Sequence, residues 1–326
     1  MIESMFGAIG DFFRDLVDAQ MTGQGFIYMF AYYMGVLLLE RLLYLFQDRH
    51  KWNERDARAN VKNSIFTALV EPFVGAVVFV AVYSFVFEYL RLFTIPLAWW
   101  GWVLAFLLND LAYYLDHRLS HRTGFFWAIH HTHHSSNEMN ILVANRGNIF
   151  LPGGAGQPMF LVLALLGLPL PMLITAKFFG NLWGIFNHTR LVDRMGPLEH
   201  VLATPSNHRV HHGADAKYLD RNYGQVLIVW DRLFGTYQRE EEYPRFGLVT
   251  PMESTKLWDI QTSGFQWLFG QMKRADTIGD KLRYLWKPPG WSHDGRHETS
   301  ETIQERAGLA ASQSNEEDTP PWQVQR

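Results

Sequence analysis

The stretch Ser206-Asn-His-Arg-Val-His-His-Gly213 places three imidazoles, His208, His211 and His212, within five consecutive residues. The same H-x-x-H-H spacing recurs upstream in Ile129-His-His-Thr-His-His-Ser135, through His130, His133 and His134. His117 and His121 stand four apart just before it. With 14 histidines in 326 residues, a crude pattern count expects on the order of 0.03 such boxes by chance. On an α-helix, positions three and four apart share a face, so each box can present its three rings together and His117 and His121 can grip one ion. His131 points roughly 100° away from its neighbours.

Eight clustered imidazoles need a partner. Buried and unpaired they are costly, and protonated they repel one another, so a bound cation is the simplest resolution. Eight exceeds the four ligands of an ordinary zinc site, which implies two ions. The chain has no cysteine, which excludes disulfides, thiolate nucleophiles, iron–sulfur clusters and Cys-type zinc sites. Imidazole suits Fe, Cu, Zn and Ni alike. No Glu-x-x-His tetrapeptide occurs, so the soluble di-iron bundle pattern is absent, and neither does a His-Glu-x-x-His protease box. The residues describe an all-nitrogen, or nearly all-nitrogen, two-metal centre.

The surroundings of these boxes are segregated. Residues 19–39, 72–87, 92–109 and 147–176 carry no charge, and Lys177 interrupts a further uncharged run that ends at Thr189. A bilayer core of ~30 Å takes about 20 residues to span, so these runs are transmembrane candidates. Buried core helices are the alternative. Gly and Pro within the runs, and Trp99, Trp100 and Trp102 near one end, fit membrane helices better. The net charge of −3, from 29 Lys+Arg against 32 Asp+Glu, offers no basic face for nucleic acid.

Residues 1–20 lack a basic start and a cleavage site, and are expected to form an interfacial amphipathic helix rather than a secretory signal. Arg49, Lys51, Arg55, Arg58 and Lys62, between the first two runs, put that segment in the cytoplasm. The next two runs then form a hairpin turned at Glu88-Tyr-Leu-Arg91, which returns His117 and His121 to the cytoplasmic side. His117 lies ~12 Å past the last uncharged residue if the helix continues. The stretch from Gly147 to Thr189 must leave and return, with Gly167-Leu-Pro-Leu-Pro171 as its turn. Two full crossings and a re-entrant hairpin both satisfy that. The expected fold is an all-α integral-membrane helical bundle over residues 21–291, with a cytoplasmic histidine-rich cap holding a di-metal centre. Residues 292–326 read as a disordered polar tail.

Asp110 and Tyr114 precede His117 by seven and three residues on one helical stripe. Either could orient a ligand ring through its second nitrogen, or simply anchor the helix end. Trp127 reads as a packing residue, and His50, His293 and His297 as solvated.

The order H-x-x-x-H, H-x-x-H-H, a solitary His188 and a second H-x-x-H-H resembles the fatty acid hydroxylase and sterol desaturase superfamily of integral-membrane di-iron enzymes. Further matching text is His130–Asn140 (HHTHHSSNEMN), Gly196-Pro-Leu-Glu199, Thr204-Pro-Ser206, Asn222-Tyr-Gly224 and Trp230-Asp-Arg-Leu-Phe-Gly-Thr-Tyr237. Weaker echoes at Gly247-Leu-Val-Thr-Pro251 and Pro288-Pro-Gly-Trp291 extend the similarity over roughly residues 25–291. Within the superfamily the chain is most similar to the alkylglycerol monooxygenases and their bacterial relatives.

The resemblance implies two iron ions, which zinc can replace on purification, together with dioxygen, two electrons from a separate donor, and a lipid whose C–H bond is oxidised. It adds His188 to the ligands and leaves His131 and His200 outside them. It makes Glu138 a candidate contact for a tetrahydrobiopterin reductant, against a structural carboxylate. It makes the Asn222 and Trp230 stretches supports for the last histidine box. Ether-lipid cleavage, sterol desaturation, and fatty-acyl or aminolipid hydroxylation share this scaffold. A membrane metal transporter would favour ligands inside its apolar spans, whereas these follow them. A structural zinc protein is the remaining non-enzymatic alternative.

Overall fold

The computed structural model describes residues 15, 18, 23–46, 52–71, 75, 77–150 and 158–308. The helix expected over 1–20 therefore lies outside the described residues, apart from Asp15 and Asp18. So do His50, Arg49 and Lys51 of the basic segment, and residues 309–326 of the tail.

The apolar run around residue 30 becomes α1 (Gln24–Tyr44), whose side chains mostly face outward. Among the described residues it is the one helix both long and apolar enough to cross a bilayer. α2 (Glu54–Glu71) opens on two acidic residues, Glu54 and Asp56, which suit the positive end of a helix dipole. α3 (Val77–Leu90) is apolar but has 14 residues, a rise of ~21 Å. α4 (Trp99–Arg122), at 24 residues, is the central element and packs against α5 (Gly124–His134), α7 (Pro158–Leu165) and α8 (Leu170–Asn187).

The run 92–109 reads as one transmembrane candidate, yet α4 begins only at Trp99. Residues 92–98 instead embrace the tip of the α7–α8 hairpin. Leu92 N–H donates to Leu165 O and Ile95 N–H to Gly167 O, each at 2.8 Å. Gly167 has φ +81, and a Cβ there would come within 1.7 Å of the Phe93 carbonyl oxygen, so only glycine fits this contact. The turn at Gly167-Leu-Pro-Leu-Pro171 thus falls where the sequence put it. The two arms are unequal: α7 has eight residues, a rise of ~12 Å, and α8 has 18, a rise of ~27 Å. Tyr83, Ala105, Phe160, Leu168 and Met172 fill the apolar core at this end of the bundle.

The opposite end carries the cap. After Thr123 the chain reverses into α5, which is covered by α11 (Leu257–Arg274) and α12 (Ile278–Trp286). α6 (Ile141–Ala144), α9 (Pro205–His211), α10 (Val229–Leu233) and two 3-10 turns complete it. Among the described residues there is no β-strand, only two isolated bridges. The tail expected to be disordered from residue 292 is ordered to 308 and includes α13 (Ser300–Arg306). Thr299 caps α13, Gln304 donates to Leu219 O at 2.8 Å, and Glu301 pairs with Arg122. Composition alone missed this docking because its partners lie in the cap.

Candidate metal centre

Three local devices aim the histidines. α4 ends on the pair His117 and His121, one turn apart, so both rings share a face. α5 ends on the first box, and buried Arg146 clamps that end by donating from Nε to Thr132 O at 3.0 Å and from Nη2 to Ser135 Oγ at 2.9 Å. α9 starts with a reciprocal cap between Thr204 and Asn207 and with Pro205 in its first turn, which fixes the register of the second box. His188 caps the C-terminal end of α8, with its ring Nδ1 on the Gly184 carbonyl one turn back.

These elements bring all nine expected ligands together in two groups. One holds His117, His121, His130, His134 and His211; the other holds His133, His188, His208 and His212. Within each group the candidate ligand atoms lie within 4.8 Å of one another. The allocation crosses the boxes. The i,i+4 members of the first box, His130 and His134, join the five-ligand group while His133 joins the other. The i,i+4 members of the second box, His208 and His212, join the four-ligand group while His211 crosses over. Each box thereby bridges both groups.

The ring nitrogens are positioned for cations. In the five-ligand group Nε2 of His130 lies 3.0 Å from that of His117 and 3.1 Å from that of His134, which is 3.1 Å from that of His211. In the other, Nε2 of His188 lies 2.9 Å from that of His208 and 3.2 Å from that of His133. Nitrogens ~2.1 Å from a shared ion and ~90° apart would be ~3.0 Å from each other. The buried Nε2 atoms of His121 and His212 have no hydrogen-bond partner among the described residues. A buried polar atom without a partner is costly, and an ion at these positions would relieve it.

The opposite nitrogens fix the tautomers. Nδ1–H of His117 donates to Tyr223 O at 2.8 Å, that of His211 to Arg221 O at 3.0 Å, and that of His188 to Gly184 O at 2.7 Å. His121 Nδ1–H donates to Asp220 Oδ1 at 3.3 Å. A carbonyl only accepts, so the proton sits on Nδ1 and the Nε2 lone pair faces inward. Burial first, then repulsion from neighbouring rings, holds His130, His133, His134, His208, His211 and His212 well below the ordinary imidazole value. Burial and His121 lower His117 to about 3. These seven rings are neutral, as metal ligands must be.

Three of these outer contacts come from four consecutive residues, Asp220 to Tyr223. Asp220 and Asn222 both adopt left-handed backbone, with φ of 58 and 55. Two such residues alternating with 221 and 223 turn both intervening carbonyls toward the rings. The segment is pinned from behind. Asp231 accepts from the N–H groups of Tyr223 and Gly224 at 2.8 Å each, and Asn222 Nδ2 donates to Asn207 O and Gln238 O. Asp220 Oδ2 also faces Arg122 Nη1 at 3.5 Å, the same arginine that holds α13.

Of the two roles open to Asp110 and Tyr114, orienting a ligand ring or anchoring the helix end, their contacts fit the second. Neither touches a ligand ring. Asp110 accepts from Val226 N, Leu227 N and Trp230 Nε1 at 2.9–3.0 Å, and the Tyr114 hydroxyl pairs with Thr236 Oγ1 at 2.9 Å. They fasten α4 to the segment that follows Tyr223, through partners more than 100 residues away. The orienting carboxylate is Asp220, whose only sequence signal is an acidic residue two positions before Asn222 in a short polar turn. Glu138 pairs with Arg190 at 2.7 Å and accepts from Asn53 Nδ2 at 3.2 Å. Trp127 packs its ring 5.2 Å from that of His121. His131 stays outside the groups and meets Ser263 Oγ at 3.2 Å. His200 and His297 are exposed. His293 is not solvated as expected but half-buried, 2.8 Å from the Tyr284 hydroxyl.

The Fatty acid hydroxylase family model matches residues 102–236, the span that contains all nine histidines. The chain is 33% identical over 265 residues to an alkylglycerol monooxygenase of Danio rerio and 31% identical over 264 residues to one of Homo sapiens. Each match covers 80% of this chain and 58% of the relative, so the chain spans less than two thirds of their length. An ornithine lipid hydroxylase of Rhizobium tropici is 31% identical over 138 residues, 41% of either chain. No solved structure matches the chain.

Proposed function

We propose, from the premise that this chain belongs to the fatty acid hydroxylase family, that it is a membrane-bound di-iron monooxygenase acting on an ether lipid. The observation that carries this is the convergence of nine imidazoles into two adjoining groups. His117, His121, His130, His134 and His211 would hold one iron, and His133, His188, His208 and His212 the other. Bound there, two irons supply the activation of dioxygen and the oxidation of an unactivated C–H bond. The chain's own residues set the conditions. Neutral nitrogen ligands leave the charge of the ions uncompensated, and ligand counts of five and four leave positions for dioxygen. The Asp220–Tyr223 segment holds the rings in place, and burial keeps bulk water out.

The overall change balances with an external donor. An alkylglycerol, dioxygen, two electrons and two protons give water and a lipid hydroxylated at the carbon beside the ether oxygen. That hemiacetal collapses to a fatty aldehyde and glycerol. Glu138, paired with Arg190 beside a polar cleft of about 530 Å³, is the candidate contact for a tetrahydrobiopterin reductant. A separate electron donor would regenerate it. In the membrane, the chain is read as multi-pass with the cap on the cytoplasmic side. The lipid would then reach the site from the bilayer.

Membranes with and without the protein, incubated with alkylglycerols under oxygen-18 and trapped rapidly with hydride, test this reading. Labelled fatty alcohol is the expected product; an untouched ether pool contradicts it. The similarity to an ornithine lipid hydroxylase favours a second reading, which predicts oxygen-18 retained on an intact aminolipid in the same samples.

A further inference from the structure

Away from the histidines, a cleft of about 390 Å³ opens where the end of α1 meets α2. Leu37 and Leu38 of α1, Val61 of α2 and Leu142 of α6 form its apolar part. Arg58 and Lys62 also line it, four residues apart and so neighbours on α2. Neither makes a hydrogen bond or ion pair among the described residues. A third cation there, Arg41, is already committed: it pairs with Glu54 at 2.5 Å and lies 4.9 Å above the ring of Trp52. That pair also occupies Glu54, the one carboxylate lining the cleft among the described residues, and leaves Arg58 and Lys62 without a partner among them.

The apolar part continues onto open surface. Val61, Ile65 and Leu69 form an exposed stripe at four-residue spacing on α2, and Leu38, Leu39 and Leu42 are exposed on α1. A ligand with apolar chains could therefore extend from the cleft along both helices. A soluble anion would match the cations and waste the apolar walls. A lipid without net negative charge would leave Arg58 and Lys62 unmatched.

We propose that this cleft binds one anionic glycerophospholipid, its phosphate between Arg58 and Lys62 and its first acyl methylenes against Leu38 and Val61. The site rests on the reading of α1 as a membrane helix. It is separate from the metal groups, and its lipid is a ligand and not the substrate. Basic side chains at the headgroup plane bind anionic lipid in this way, each adding to the affinity.

Trp52 lines the cleft and provides the probe. The full chain is placed in phosphatidylcholine nanodiscs containing increasing brominated phosphatidylglycerol or, separately, brominated phosphatidylcholine. The Trp52 contribution is the fluorescence lost in Trp52→Phe. The expected result is quenching by the phosphatidylglycerol at the lower mole fraction. In Arg58→Gln/Lys62→Gln that mole fraction should rise at least about tenfold, while iron content stays unchanged as a check of folding. Inorganic phosphate in excess should not reverse the quenching. Equal quenching by both lipids, or an unaltered double variant, overturns the site, and displacement by inorganic phosphate overturns its assignment to a lipid. No quenching by either lipid would instead remove the membrane reading of α1 on which it depends.

Discussion

The two histidine groups are built differently. In the five-ligand group three rings are held from behind by one short segment, Asp220 to Tyr223, itself fastened by Asp231 and Asn222. In the four-ligand group only His188 has a protein partner for its second nitrogen among the described residues, the Gly184 carbonyl within its own helix. The first group is organised by the protein before any ion arrives. The second relies more on the ion to align it. Outer partners of this kind commonly decide metal affinity, so the five-ligand group should fill first and empty last.

The largest expected effect ignores that asymmetry. On the proposed di-iron reading, His211→Ala and His133→Ala, one from each group, should each abolish turnover without changing how much protein sediments with membranes, because that chemistry would need both ions. Activity retained in either variant removes that residue from the ligand set.

Asn222→Ala should separate the groups. It places a β-carbon without polar function at φ 55 and removes donors to Asn207 O and Gln238 O. The combined strain and lost hydrogen bonds should cost about 3 kcal/mol, read as a lower Tm. Loss of metal should be confined to the five-ligand group. Equal loss from both groups would mean that the segment supports the cap generally and not those rings.

A finer version is Asp220→Asn, which keeps the shape and removes the charge opposite His121. Affinity at the five-ligand group should fall roughly ten- to hundredfold, seen as a shifted cobalt titration, with the four-ligand group unchanged. A shift in both phases would contradict the separate organisation.

The broadest change is with pH. Burial holds His117 at about 3 against an ordinary value of 6.5. Its ring is therefore neutral in the fold while the unfolded chain takes up a proton. Stability of the metal-free protein should be complete above pH about 6.5 and fall progressively as the pH drops toward about 3. Calorimetry of the apo protein between those limits checks the sign; a gain on acidification would mean that protonated rings are accommodated.

What was legible in the sequence follows from the range of each interaction. The boxes at 117/121, 130/133/134 and 208/211/212 are local, so helical spacing alone revealed them. The turn at Gly167 was legible for the same reason. The division of the two H-x-x-H-H boxes between the two groups was not, because it depends on how α4, α5 and α9 come together. Asp110 shows the limit clearly: its helical stripe suggested His117 as a partner, yet its carboxylate is saturated by Val226, Leu227 and Trp230. Asp220 was missed because its value lies in a left-handed backbone and in contacts about 100 residues distant. The order of residues 292–308 was hidden likewise, since Arg122 and Leu219 supply its anchors.

The central claim is that folding gathers nine imidazoles around two unequal ions. Anaerobic iron titration of the full chain, followed by elemental analysis after removal of free metal, tests it directly. The account predicts two irons per chain in the native protein and one in His208→Ala/His212→Ala, which dismantles the four-ligand group. A native stoichiometry of one, or two irons retained by that variant, would contradict it.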